Sequence, residues 1–190
     1  MTIQTQIAQK TLGADVRTLR KTRGLTLSKM AEIMGKSVGW LSQVERDLST
    51  PTAEDIADLA KTLDVSEAIF GLEETIPEIE QGYIVRAHAR RDISERQTGL
   101  KESLLSPDLT DDFEMIHSVF EPGSKTAEPV LRATQEVAYI TQGKLDLVIG
   151  GRQFTVVAGD SFRIRGEMFE WSNPYPDPAT AIWVIAPPVY

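Results

Sequence analysis

Residues 19–65 read LRKTRGLTLSKMAEIMGKSVGWLSQVERDLSTPTAEDIADLAKTLDV, and this stretch decides the architecture of the first third of the chain. Its apolar residues recur at helical rather than alternating spacing, and no proline precedes Pro51. Gly24 follows the basic run RKTR as a helix stop. Thr26 or Leu27 opens a short helix carrying Met30, Ala31, Ile33 and Met34, which Gly35 closes. Ser37 is placed as the N-cap of the next helix, which holds Trp40, Leu41 and Val44. After the break at Leu48, Ser49, Thr50 and Pro51, Thr52 caps a helix with Ile56, Leu59, Ala60 and Leu63. A last short helix runs from Ser66 to Phe70 and stops at Gly71. Together with the helix of Val16 and Leu19, this predicts a five-helix domain over residues 1–72.

Charge follows the same division. The chain carries a net charge of −8, but residues 1–46 hold eight Lys and Arg against three acids, a balance of +5. Residues 47–82 hold ten acids against one lysine, a balance of −9. A basic head on an acidic chain suits phosphate contact, because that attraction is local and screened within roughly 10 Å at moderate salt.

The 190 residues are enough for two small domains, each with its own core. With 41% hydrophobic and 25% charged residues, the composition is that of a globular chain. No apolar run is long enough to cross a bilayer, and the start MTIQTQIAQKT has no apolar signal core, so a cytoplasmic location and no membrane contact are expected. Cysteine is absent, which excludes disulfides, thiolate metal sites and cysteine nucleophiles. His88 and His117 are the only histidines, too few for an imidazole-built zinc site.

Residues 73–84, with Glu73, Glu74, Glu78, Glu80 and Pro77, read as an acidic linker that would keep the following domain off nucleic acid by repulsion. From residue 85 to 190 short apolar runs alternate with Gly, Pro and Asp turn signals. Strands are expected at 83–87, 114–120, 136–141, 144–149, 154–157, 161–164, 169–172 and 179–185, which predicts a β-sandwich or barrel.

The 10–72 stretch resembles the helix-turn-helix of phage-repressor or Xre-like proteins. The resemblance rests on Arg17, Leu19 and Arg20 before RGLTL, Met30-Ala31 beneath the turn, Gly35 at it, Leu41, Val44 and Glu45 in the second helix, and Ser49 to Thr52 opening the fourth. It implies that the helix after Gly35 enters the major groove of operator DNA. Ser37, Val38 and Gly39 would face base edges, with Ser42 and Gln43 one turn on. Gln43 can pair with an adenine edge in two hydrogen bonds. Trp40 either lines the groove or packs inward or on the backbone. Arg17, Lys36 and Arg46 are candidates for phosphate contacts. Glu45 is expected to pair with Arg20 or Arg23 rather than with a base. The family often has Gln at the start of the second helix, where this chain has Leu27, and Val38 and Gly39 donate little, so part of the readout would be indirect.

Residues 122–143 and the following KLDLVIGGRQFTVVAGDSFRIRGEMFEWSNP resemble a cupin, a double-stranded β-helix barrel. Glu136 and Gly143 keep the spacing of the first cupin motif, and Gly159, Asp160 and Asn173 keep the second. The positions of the metal-binding histidines fall on Val130, Arg132 and Phe169, leaving Glu136 as the remaining ligand. His117 pointing inward would add one more, still too few for a transition metal, so no metal and no cofactor are expected. No Ser-His-acid spacing supports nucleophilic catalysis, so no catalytic residues are expected. What remains is a cavity lined by Arg132, Glu136, Phe169 and Trp171. It would suit a small carboxylate, amino acid or amine as effector, unless Arg132 and Glu136 neutralise each other in a filled core. Arg163 and Arg165 would face the other side of their strand, and Arg90 and Arg91 solvent or a partner subunit.

The two resemblances together imply a dimeric transcription regulator with an Xre-like head and a cupin sensor, of a kind often tied to amino acid, polyamine or sulfur metabolism. Its fold class would be two-domain α + β. Two alternatives are a cupin isomerase or oxygenase with an appended helical domain, and a protein-binding antitoxin or adaptor.

Overall fold

Four hydroxyl side chains start the helices of the N-terminal unit. The computed structural model describes residues 11–65, 67–70, 77–80, 82–94, 97–107, 109 and 111–189. Helix α1 spans Leu12–Thr22, α2 Leu27–Ile33, α3 Val38–Val44 and α4 Ala53–Leu63. Thr11, Thr26, Ser37 and Thr52 accept the amides of Ala14, Lys29, Trp40 and Asp55 respectively, satisfying otherwise orphaned donors. At α4 the cap is reciprocal: Asp55 Oδ2 accepts the Thr52 amide at 2.9 Å.

The fifth expected helix is a correction. Glu67–Phe70 form a 3-10 turn, so the unit has four α-helices among its described residues; Ser66 and Gly71 lie outside them. Four residues are too few for a stable α-helical segment. The core is Val16, Leu19, Met30, Leu41, Val44, Leu59, Leu63 and Ile69, each essentially inaccessible.

Gly13 sets the approach of α1 to the end of α3. A Cβ there would fall 2.3 Å from the Val44 carbonyl oxygen, so only glycine allows this contact. Its amide donates to Asp47 Oδ1 at 2.9 Å, which ties the turn after α3 to α1.

The first unit contains the described residues up to Arg91, with Pro107 and Leu109; the second contains Asp92–Ser106 and Asp111–Val189. The stretch 83–87, expected as a strand, is not one: the amides of Tyr83 and Ile84 turn back onto the Glu80 carbonyl, and the chain runs into a 3-10 turn at Ala87–Ala89. Of the acidic linker residues, Glu73 and Glu74 lie outside the described residues, and Glu78–Glu80 form a 3-10 turn. Arg91, expected at the surface, is buried. Its Nη1 donates to Asp15 Oδ2 at 2.7 Å and to the Ile69 carbonyl at 2.8 Å. The cause is Asp15, which faces inward from α1 and needs a countercharge.

The second unit is all β. Its strands are β1 Asp92–Ser94, β2 Leu100–Leu104, β3 Glu114–Phe120, β4 Gln135–Gln142, β5 Lys144–Ile149, β6 Arg152–Val157, β7 Ser161–Arg165, β8 Phe169–Ser172 and β9 Ala179–Ala186. They form a six-stranded sheet in the order β1-β2-β3-β9-β4-β7 and a three-stranded sheet β6-β5-β8, with every pair antiparallel. The hydrogen-bonded ladders thus make two sheets, in keeping with the expected β-sandwich or barrel. Strands β1 and β2 add to those expected.

Inward residues alternate along β3 and β9, with Ile116, Ser118 and Phe120 opposite Trp183, Ala181 and Ala179. Aromatic edges join the two sheets. Phe120 meets Trp171 at 4.7 Å and Phe169 meets Trp183 at 5.9 Å between ring centroids, both edge-to-face. Gly143 (φ +77°) lets β4 turn into β5, where a Cβ would sit 2.4 Å from the Pro178 carbonyl oxygen. Asn173 is fully buried, and its Nδ2 donates to the carbonyls of Phe120 and Asp177. This motif residue therefore pins a turn. Among the described residues no helix is long and apolar enough to cross a membrane.

Candidate nucleic-acid interface and ligand pocket

In the first unit, Leu41 and Val44 bury one side of α3 and leave the other to solvent. Ser37, Val38, Gly39, Gln43 and Arg46 are exposed, and Trp40 and Ser42 are half-buried. The outer face thus carries the residues expected to meet base edges, and Arg17 is exposed on α1. A double hydrogen bond fixes this helix: Arg20 Nε donates to Glu45 Oε1 at 2.5 Å and Arg20 Nη2 to Glu45 Oε2 at 2.9 Å. Contact with Glu45 raises the Arg20 pKa further, against the opposing effect of burial. Arg23 takes a different role, with its Nε donating to the Leu63 carbonyl at the end of α4.

Lys36 is already engaged within the unit. Its Nζ lies 2.5 Å from Asp55 Oδ1 and 5.1 Å from the Trp40 ring centroid. The lysine hydrogen bond, followed by the amide and hydroxyl of Thr52, lowers the Asp55 pKa to about 2, and the same pair raises that of Lys36. A phosphate reaching Lys36 must therefore share it with Asp55. The sequence reading missed Asp55. A Thr-x-x-Asp spacing marks its capping role, but nothing local marks its pairing with Lys36. Arg46 Nε donates back to the Ser42 carbonyl at 3.0 Å, which leaves the rest of its guanidinium on the exposed face.

In the second unit a cavity of about 70 Å³ lies between the sheets, and Arg132, Glu136, Phe169 and Trp171 all line it. Glu136 is buried and accepts the Thr134 hydroxyl at 2.6 Å, while Arg132 Nη1 stands 3.7 Å from the same oxygen. The Arg132–Glu136 pair exists, but at a distance too long for a hydrogen bond. Gln97, Glu102 and Glu167, which the sequence reading did not single out, line the same cavity. Ser118 donates to Glu102 at 2.8 Å. Glu167 lies at the exposed rim and accepts the Arg165 amide, a backbone contact that lowers its pKa. Arg163 and Arg165 are exposed on either side of buried Ile164.

The donor set does not fit a transition metal. His117 lies on the face of β3 opposite the inward Ile116 and Ser118, and Arg132 stands beside Glu136. Among the described residues no group of three or more His, Asp or Glu converges as a ligand set.

Two units of this kind, a capped four-helix head and an antiparallel two-sheet domain, fit a helix-turn-helix domain followed by a cupin domain. The family models agree: a helix-turn-helix domain matches residues 11–69 and a cupin domain matches residues 116–185. Among relatives, the chain is 26% identical over 155 residues to the HTH-type transcriptional regulator PuuR of Escherichia coli, covering 80% of this chain and 81% of that protein. Among solved structures, KdgF from Halomonas sp. matches with a TM-score of 0.50 at 18% identity, over 57% of this chain and 96% of that one. That likeness supports the fold of the second unit. An HTH_3 family transcriptional regulator from Vibrio cholerae is matched over 97% of this chain and all of its own, at 19% identity and a TM-score of 0.44.

Proposed function

We propose that the protein is a DNA-binding transcriptional regulator whose cupin domain binds a small-molecule effector. The observation that carries the first half is α3 itself: a short, well-capped helix with Ser37, Gln43 and Arg46 exposed above a buried Leu41–Val44 side, in a stretch, residues 1–46, whose charge balance is +5. Such a helix fits the major groove, where Gln43 reads an adenine edge and Arg17, Lys36 and Arg46 hold phosphates. Trp40 and Ser42 flank the reading residues, and Val38 and Gly39 leave room for indirect readout through DNA shape. One head covers one half-site, so the protein acts as a homodimer with recognition helices about 34–36 Å apart.

The second half rests on the cavity, which brings Arg132, Glu136, Phe169 and Trp171 to one space. Ligand there acts on DNA binding only if it prefers one arrangement of the dimer, as linkage requires. The relative named as a transcriptional regulator covers four-fifths of this chain, which supports a regulator over an isomerase or oxygenase. Fluorescence anisotropy tests the proposal. Duplexes selected from genomic fragments should bind the full chain saturably and lose affinity steeply with salt. Turnover by the purified protein with no duplex binding would reverse the assignment.

A further inference from the structure

The composition of the cavity goes further than its presence. Three carboxylates line it, from Glu102, Glu136 and Glu167, against a single guanidinium, from Arg132. Arg132 stands beside Glu136 and so answers that charge. Glu102 has the Ser118 hydroxyl as its partner and no cation paired with it among the described residues. The Gln97 Oε1, on the same lining, is a buried acceptor without a hydrogen-bond partner among the described residues. The walls are aromatic: Phe120, Trp171, Phe169 and Trp183 meet edge to face. Carboxylates, an amide oxygen and ring faces all attract a positive group, and the first two accept N–H bonds.

We infer that the cavity selects a compact organic ammonium ion, with Glu102 as the anchoring carboxylate. This rests on the effector-pocket reading above and names its ligand class. An anionic ligand would meet three carboxylates and could use only Arg132, which it must share with Glu136. The space is small beside drug-sized pockets of about 300–1,000 Å³, which limits the ligand to a few heavy atoms beyond the ammonium group. A divalent metal is the wrong occupant, because the carboxylates do not converge on one point.

The test is isothermal titration of the full-length protein with three probes of matched size: propylamine, propionate and 1-propanol. Propylamine should bind about tenfold more tightly than either of the others, since only it gains charge-assisted hydrogen bonds to the carboxylates. Glu102→Gln, and separately Glu136→Gln, should weaken propylamine binding about fivefold or more while circular dichroism stays unchanged. Arg132→Gln should not weaken it. Propionate binding that depends on Arg132 would overturn the ammonium assignment and leave an effector pocket in place. Equal binding of all three, or no effect of either glutamate variant, would also overturn it. Binding of none would overturn the ammonium assignment together with the pocket reading.

Discussion

Arg20 on α1 and Glu45 at the end of α3 face each other fork to fork, with two hydrogen bonds of 2.5 and 2.9 Å between side chains that are 11% and 6% exposed. Arg20 also donates to the Leu25 carbonyl at 2.8 Å, so one guanidinium fixes both α3 and the loop before α2. Replacing Arg20 by Ala strands a carboxylate in the interior. The expected cost to the helical unit is about 3 kcal/mol. Denaturant unfolding followed by the helical signal checks this, with the β unit followed separately. A head that unfolds at an unchanged denaturant concentration would show that the pair contributes nothing.

Asp55 gives the head an acid limit. Its pKa is lowered from 3.8 to about 2, first by Lys36 and then by the Thr52 amide and hydroxyl. A carboxylate with a lowered folded pKa contributes stability that is complete above its unfolded value. That contribution fades as pH falls from about 4 through about 2. An acid titration of helicity should therefore fall more steeply across this window in the parent than in Asp55→Asn, which is less stable at neutral pH. Parallel curves would refute the assignment.

Gly13→Ala pits two effects against each other. Alanine favours an α-helix over glycine by about 1 kcal/mol. Its Cβ would sit 2.3 Å from the Val44 carbonyl oxygen, and backbone on both sides has little room to give. The clash should win, for a net loss of about 2 kcal/mol, and it should displace the end of α3 and weaken duplex binding. Thermal unfolding and anisotropy on the same variant measure both; a stabilised variant would mean that the contact relaxes.

Base reading and phosphate holding separate experimentally. Gln43→Ala should cost about 1–3 kcal/mol on a selected duplex and little on random DNA. Arg17→Ala should weaken both alike and lower the salt slope by about one. Lys36→Ala should lower that slope by less, because Lys36 is already paired with Asp55 at 2.5 Å. Equal losses for Gln43→Ala on both duplexes would remove it from the reading face.

Features that depend on a few neighbouring residues were legible in the sequence. The caps Ser37 and Thr52 are of this kind, because an oxygen accepting an amide three residues on is a local event. Strands bracketed by Gly143, Gly150-Gly151 and Gly159-Asp160 were found for the same reason. An ion pair of Glu45 with Arg20 or Arg23 followed from the motif, and the fold selects Arg20. What escaped depends on distant partners. Arg91 turns inward because Asp15, 76 positions earlier, needs a countercharge. Strand β2, Leu-Lys-Glu-Ser-Leu, has no apolar run of its own and forms on β3, so Glu102 could not be placed in the cavity. The apolar residues at 83–87 suggested a strand, but among the described residues no strand pairs with them.

The central claim is that α3 enters the major groove from within a basic stretch, residues 1–46. The most direct measurement is anisotropy of a labelled genome-selected duplex titrated with the full chain between 50 and 200 mM salt. The account predicts saturable binding at the low end. With six to ten phosphate contacts per dimer, it predicts a loss of about 10³–10⁵ in affinity across that range, and selective weakening by Gln43→Ala. No binding at 50 mM salt by a folded protein, or binding with no salt dependence, would contradict it.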